Sequence, residues 1–373
     1  MNRLYCGDNL AILRQHIASA SVDLIYLDPP FNSGRRYRLL RQGSHQGHNA
    51  HRHVFDDTWG WDEQAEQALA EIKETPIAPQ VTTVLHALIA SLGKGELTAY
   101  LIMMTRRLGE LYRVLKPSGS FYLHCDSTAS HYLKVLLDAL FGPGHFVNQI
   151  VWQRSNGHND ARQKFADVSD ILLLYAKSDG YTFHVQYIPY SAEYAARVYR
   201  HVDETGRRYT TRDLRSPTPR PNLTYVYQGY APHPNGWSIS LEKMQAYDRE
   251  GRLVFPKSDR GRIRLKRYLD EMPGVPLSNV WSDIKPVQAQ SAERWGYPTQ
   301  KPLALLERIV QSSSNRGDIV LDPFCGSGTT LCAAQRLERR WIGIDREPLA
   351  IEITRQRLEA QFGEQAQYEL GSA

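Results

Sequence analysis

Asp28-Pro29-Pro30-Phe31 follows directly on the apolar run 22–27, and its residue types suit one kind of chemistry. Two consecutive prolines fix φ and remove two backbone donors, leaving a carboxylate and neighbouring carbonyls as acceptors with no competing N–H. A planar base amino group could donate into such a cluster. Phe31 offers a ring on which that base could stack once it is outside its duplex. The chemistry this arrangement suits is methyl transfer to an exocyclic amine. A plain turn after a buried strand can have the same sequence, so the motif alone leaves both readings open.

A second loop, Asp322-Pro323-Phe324-Cys325-Gly326-Ser327-Gly328-Thr329-Thr330, follows the apolar residues 319–321. Gly326 and Gly328 permit positive φ and close backbone approach, and Thr329 opens a helix whose free N–H groups favour an anionic ligand. The strand 341–344 then ends in Asp345, about 20 residues on, where an acidic side chain in nucleotide-binding α/β units takes ribose hydroxyls. A purely structural strand–turn–helix connection is the other reading.

Taken together, these two motifs resemble the β-class DNA amino-methyltransferases, whose catalytic motif precedes the S-adenosylmethionine motif in the chain. Leu4-Tyr5-Cys6-Gly7-Asp8 is similar to the strand ending in an acidic residue beside the cofactor adenine. Residues 119–126 (GSFYLHCD) are similar to the strand after the catalytic helix, and 298–302 (PTQKP) to the turn before the first cofactor helix. The resemblance spans most of the chain. It implies an α/β fold, a circularly permuted Rossmann-like methyltransferase with a mostly parallel seven-stranded sheet and an inserted DNA-recognition lobe. It further implies S-adenosylmethionine as cofactor, Asp28, Pro29, Pro30 and Phe31 as catalytic residues, and cofactor contacts from Asp8, Lys301, Asp322, Phe324, Gly326, Gly328, Thr329 and Asp345. Members with Asp at the head of the Pro-Pro motif tend to act on adenine N6, those with Ser on cytosine N4, so a flipped-out adenine is the expected substrate. Cytosine N4 is the alternative, and a DNA-binding subunit that keeps the fold without turnover is a more remote one. None of the four cysteines follows a proline, which sets aside cytosine-C5 chemistry.

These motifs need elements to hold them. At 373 residues there is room for one large catalytic domain and an insertion. Apolar patterning predicts strand 3–7, helix 8–18 and strand 22–27, then helices over 62–74, 80–92 and 97–115. Strand 120–124, helix 129–141 and strands 148–153 and 170–176 follow. The C-terminal section reads as helix 303–314 with Pro302 at N1, strand 318–322, helix 329–339, strand 341–345 and helix 347–361. The domain reading places the catalytic half of the methyltransferase domain at residues 1–183, a target-recognition insertion at 184–290 and the cofactor-binding half at 291–373. Residues 32–61 form a long polar stretch, either a flap with Arg35 and Arg36 on DNA phosphates or a disordered insertion. The histidines within it lack a completing Cys or carboxylate pattern, so no metal is expected. Trp152 and Arg154 begin a polar loop that, by resemblance, frames the target base; an ordinary buried tryptophan is the other reading of Trp152.

The net charge of +5 is unevenly placed: 184–290 hold 17 Lys or Arg against 11 Asp or Glu, +6, and the remaining chain sums to −1. A localised surplus suits a polyanion-binding lobe, although a solvated face would show it too. Arg262, Arg264, Lys266 and Arg267 lie in that segment among tyrosines, a mixture suited to phosphate contact and base stacking. Double-stranded DNA is therefore the expected partner. The resemblance also permits a homodimer and a separately acting restriction endonuclease. Four scattered cysteines, no long apolar run and no export signal point to a reducing cytoplasm and away from a membrane.

Overall fold

The computed structural model describes residues 1–30, 35–39, 52–74, 77–155, 163, 165–257 and 261–372, with 35–39 and 52–57 described by backbone alone. Phe31, the side chains of Arg35 and Arg36, and half of the proposed flap lie outside the described residues. The chain divides into two compact units, Met1–Gln186 with Ser278–Ala373, and Tyr187–Leu277.

The large unit begins with β1 (Asn2–Cys6), α1 (Asn9–His16) and β2 (Val22–Leu27), followed by a hairpin of β3 (Arg35–Leu39) and β4 (Arg52–Asp57). Next come α2 (Glu63–Glu74), α3 (Pro79–Leu92), α4 (Glu96–Val114), β5 (Leu115–Cys125), α5 (Ser130–Phe141), β6 (Phe146–Gln153) and β7 (Ser169–Ala176). The second unit holds β8 (Tyr187–Ile188), α6 (Ala192–Val198), β9 (His201–Val202), β10 (Arg208–Asp213), α7 (Leu241–Arg249), β11 (Leu253–Val254), β12 (Arg264–Tyr268) and β13 (Val275–Pro276). The chain returns through β14 (Val280–Trp281), α8 (Leu303–Ser313), β15 (Ile319–Asp322), α9 (Thr329–Arg336), β16 (Arg340–Asp345), α10 (Pro348–Phe362) and β17 (Tyr368–Ser372).

Among the described residues one sheet of nine strands runs in the order β14-β6-β7-β5-β2-β15-β16-β1-β17. Only β7 runs antiparallel to its neighbours. The expected seven strands fall short by the two edges. β14 is two residues long, and β17 (YELGS) has no apolar run, so neither carries a strand signal. Both faces of the sheet are covered, which explains the near-continuous apolar reading of β2: Ile25 and Leu27 pack with α1–α5, whereas Leu24 and Tyr26 pack with α8–α10. Close packing on the second side depends on Gly343, where a Cβ would lie 2.4 Å from Leu331 of α9.

Pro302 is the N-cap of α8 rather than its first helical residue. The indole of Trp152 is 2% exposed and donates to the Ile284 carbonyl at 2.9 Å. It is a core side chain, which corrects the reading of Trp152 as a base or DNA contact. The expected insertion 184–290 also runs past the compact unit, because β14 joins the main sheet beside β6.

The smaller unit is built on the antiparallel sheet β11-β12-β10-β9, with a core of its own around Leu214, Trp237, Met244, Ile263 and Leu265. Arg207 spreads over the Tyr268 ring, 3.8 Å from its centroid, and pairs with Asp270 and Glu271. No helix among the described residues is long and apolar enough to cross a membrane.

Candidate active site

β2 and β15 are parallel neighbours with Leu24 opposite Val320 and Ile25 opposite Leu321. Both strands therefore end at the same edge of the sheet, and the two motifs, nearly three hundred residues apart, open into one cleft of about 420 Å³. Asp28, Pro29 and Pro30 line it together with Phe324 to Ser327, Trp59 and Tyr297. The volume is that of a site for a cofactor-sized molecule.

Lys301, expected to touch the cofactor, lines the cleft and places its ammonium on Asp28 Oδ2. The other carboxylate oxygen, Oδ1, is buried and has no hydrogen-bond partner among the described residues. The Lys301 carbonyl accepts from Thr329 Oγ1 at 3.3 Å, so one residue joins the Asp28 turn to the start of α9.

The glycine loop is held from behind. Gly326 and Gly328 have φ of 51° and 71°, and a Cβ on Gly328 would sit 2.7 Å from Thr354 of α10. Thr354 Oγ1 donates to the Gly326 carbonyl at 2.9 Å, and the fully buried Arg357 donates to Ser327 O at 3.2 Å and Thr329 Oγ1 at 2.8 Å. Asp345 receives Gly326 N–H at 2.8 Å on one oxygen and Glu347 N–H at 2.9 Å on the other. Asp322 receives Phe324 N–H at 3.0 Å and the Thr330 hydroxyl at 2.5 Å. Burial pushes the carboxyl of Asp345 up to about 6 and that of Asp322 up to about 7. Both acids thus shape the loop as well as line the cleft.

Asp8 caps α1 through Leu10 and Ala11 N–H and pairs with Arg107 at 2.6 Å. Arg107 also donates to Asn9 Oδ1 at 2.6 Å, and Asn9 Nδ2 donates to the Pro323 carbonyl at 2.7 Å. This bridge from the start of α1 to the glycine loop was missed by sequence reasoning, as were Glu347, Tyr297 and Trp59 lining the cleft. No local motif marks them. Arg154 is ion-paired with Asp170 at 2.7 Å. Of the basic run, Arg264 bonds Thr211, Arg267 reaches Met272, Arg262 stands 3.6 Å from Asp213 and Lys266 lies over Tyr209, all within the smaller unit. Among the described residues no group of three or more His, Cys, Asp or Glu is placed to hold a metal.

The family model for N6/N4 DNA methylases matches residues 22–356. This chain belongs to that family. It is a DNA methyltransferase of the group that modifies adenine N6 or cytosine N4, and the family takes its methyl group from S-adenosylmethionine. It is 29% identical over 356 residues to the type II methyltransferase M.EcaI of Enterobacter cloacae, covering 95% of this chain and 68% of that one. It is 32% identical over 362 residues to M.HpaI of Haemophilus parainfluenzae, covering 96% and 75%. Across its long matches the chain spans from half to three quarters of the relative's own length. A putative DNA modification methylase of Thermus thermophilus, solved with S-adenosyl-L-methionine, aligns over 99% of both chains at 18% identity and a TM-score of 0.45.

Proposed function

We propose that this family member transfers a methyl group to the exocyclic N6 of adenine in double-stranded DNA, with the base swung out of its helix into the cleft beside Asp28. The observation that carries the reading is the Asp28 carboxylate: one oxygen is held by Lys301 and the other is buried and unmatched among the described residues, in the cleft that the glycine loop also lines. A buried acceptor without a donor is costly, and an incoming amine satisfies it.

The residues fit S-adenosylmethionine. Positive-φ glycines leave the backbone open to close approach, the N-terminus of α9 suits a carboxylate, and Asp345 and Glu347 stand on the wall as acceptors for ribose hydroxyls. When bound, the cofactor supplies an activated sulfonium methyl. The protein's role is geometry. Asp28 Oδ1 and the Pro29 carbonyl accept the two amine hydrogens, which draws the nitrogen toward tetrahedral character and aims its lone pair across the cleft. Lys301 fixes the carboxylate, and Phe31 supplies a stacking face.

The sheet order, with β15 and β16 between β2 and β1, supports reading the chain as a circular permutation of the Rossmann-like methyltransferase order. The basic surplus and separate core of Tyr187–Leu277 support reading that unit as the DNA-recognition lobe. Asp at the head of the Pro-Pro motif favours adenine over cytosine. Nucleoside digestion of treated DNA followed by mass spectrometry tests this: N6-methyladenine is expected, and N4-methylcytosine alone would overturn the assignment. Asp28→Ala is expected to abolish incorporation; undiminished incorporation removes Asp28 from the mechanism.

A further inference from the structure

One face of α10 backs the glycine loop, and that face carries a charge. Thr354 and Arg357, three positions apart, share it. Thr354 Oγ1 donates to the Gly326 carbonyl, and Arg357 Nη1 donates to the Ser327 carbonyl at 3.2 Å and to Thr329 Oγ1 at 2.8 Å. Arg357 is 0% exposed, and its Nε and Nη2 have no hydrogen-bond partner among the described residues. None of its hydrogen bonds there goes to a carboxylate. Burial pulls its pKa below the usual arginine value, with Cys332 and Glu293 acting against the fall; a guanidinium keeps its proton all the same. A buried charge without a counter-ion is costly.

The charge meets the loop where α9 opens. Gly328, the N-cap, has no side chain to receive the free N–H groups of the first turn. Ser327 and Thr329 line the cleft, whereas Arg357 does not. Thr329 Oγ1 accepts from Arg357 and donates to the Lys301 carbonyl at 3.3 Å. Its hydroxyl is thus committed to protein partners, and what α9 has left for a ligand is its N–H groups and the positive end of its dipole. The next residue, Thr330, donates to Asp322. Adjacent threonines therefore tie the start of α9 to a buried cation and a buried acid, complements of the carboxylate and ammonium of an α-amino acid.

We infer that Arg357 is a positioning residue for the cofactor's carboxylate: its buried charge adds to the positive end of α9 and draws that group to the N–H groups of the first turn. The inference rests on the reading of the cleft as the seat of S-adenosylmethionine with its carboxylate at α9. The guanidinium acts through Ser327 and Thr329, across packed protein rather than water, where screening is weak. Holding the Ser327 carbonyl and the Thr329 hydroxyl also sets the loop before the ligand arrives.

Isothermal titration calorimetry of the full-length protein with S-adenosylmethionine and with its decarboxylated form tests this. The two ligands share adenosine, sulfonium and amine and differ only in the carboxylate. Wild type is expected to bind S-adenosylmethionine at least about tenfold more tightly than the decarboxylated ligand. Arg357→Met keeps much of the bulk without the charge, and Arg357→Gln also keeps an N–H donor for the loop. Each is expected to lose most of that preference by weakening S-adenosylmethionine alone, while Arg357→Lys retains it. Should the methionine variant fail to fold, the glutamine and lysine variants carry the comparison, with melting curves as the check on folding. Equal weakening of both ligands would make Arg357 a brace for the loop and overturn the inference, as would a lysine variant that behaves like the glutamine one. A wild-type preference that survives intact in Arg357→Gln removes Arg357 alone. A wild type that binds both ligands alike places no carboxylate at α9, and that reading of the cleft fails together with the inference.

Discussion

A single residue, Lys301, links both halves of the chemistry, since its ammonium holds Asp28 and its backbone carbonyl accepts from Thr329. Lys301→Met keeps much of the length and removes the charge. We expect a fall in single-turnover rate of at least about tenfold, with a smaller change in DNA affinity, measured by rapid quench and by filter binding; an unchanged rate would show that Asp28 needs no partner. Asp322 and Asp345 give a prediction in pH. Their folded values, about 7 and about 6, lie above the ordinary 3.8, so their contribution to stability is full below about pH 4 and is lost as pH rises through 6 and 7. Asp322→Asn removes one of these ionisations and keeps an acceptor for Phe324 N–H. Wild type is expected to lose more thermal stability between pH 5 and pH 8 than the variant, and parallel melting curves would refute it. The Asp28 and Asp322 motifs were legible because each is a contiguous run with its own turn chemistry. The buried contacts of Tyr26 with His124 and of His124 with Asp170 were not, because they lie across three strands: Tyr26 pairs with Tyr122, two before His124, and His124 pairs with Leu172, two after Asp170.

At the scale of elements, periodicity located most of the helices and strands of the large unit. Its strongest case is α4, whose Leu101, Met104, Leu108 and Leu111 are buried along one stripe. It missed what depends on approach distance rather than on pattern. Gly343 reads as an ordinary strand glycine, yet α9 packs against it so closely that Gly343→Ala puts a methyl into Leu331 and crowds Leu4. That change is expected to cost about 1–3 kcal/mol, seen as a lower urea midpoint with unchanged slope. A midpoint equal to wild type would mean that α9 shifts freely. Asn9 joins α1 to the glycine loop in the same way, and its role rests on a contact between residues 314 positions apart, which no window on the sequence can see.

For the whole molecule, charge was more legible than architecture. The surplus of +6 in 184–290 was countable, whereas the edge of the smaller unit near Leu277 rather than 290 followed from β14 pairing with β6. If Arg264 and Arg267 touch phosphates, Arg264→Ala and Arg267→Ala should each weaken DNA binding alike for cognate and unrelated duplexes. Each should also reduce the slope of log affinity against log salt by about one. An unchanged slope in both would assign these arginines to the sheet they stand on. The strand order also bears on how the protein is made. β1 and β2 leave the ribosome nearly three hundred residues before β15 and β16, the pair that must slide in between them. At about 5–20 residues per second that is roughly 15–60 s, during which two apolar strands stand apart with their inner rims unmatched. A nascent chain of this enzyme needs shelter for that interval, and it has no means of marking DNA until that late pair has emerged.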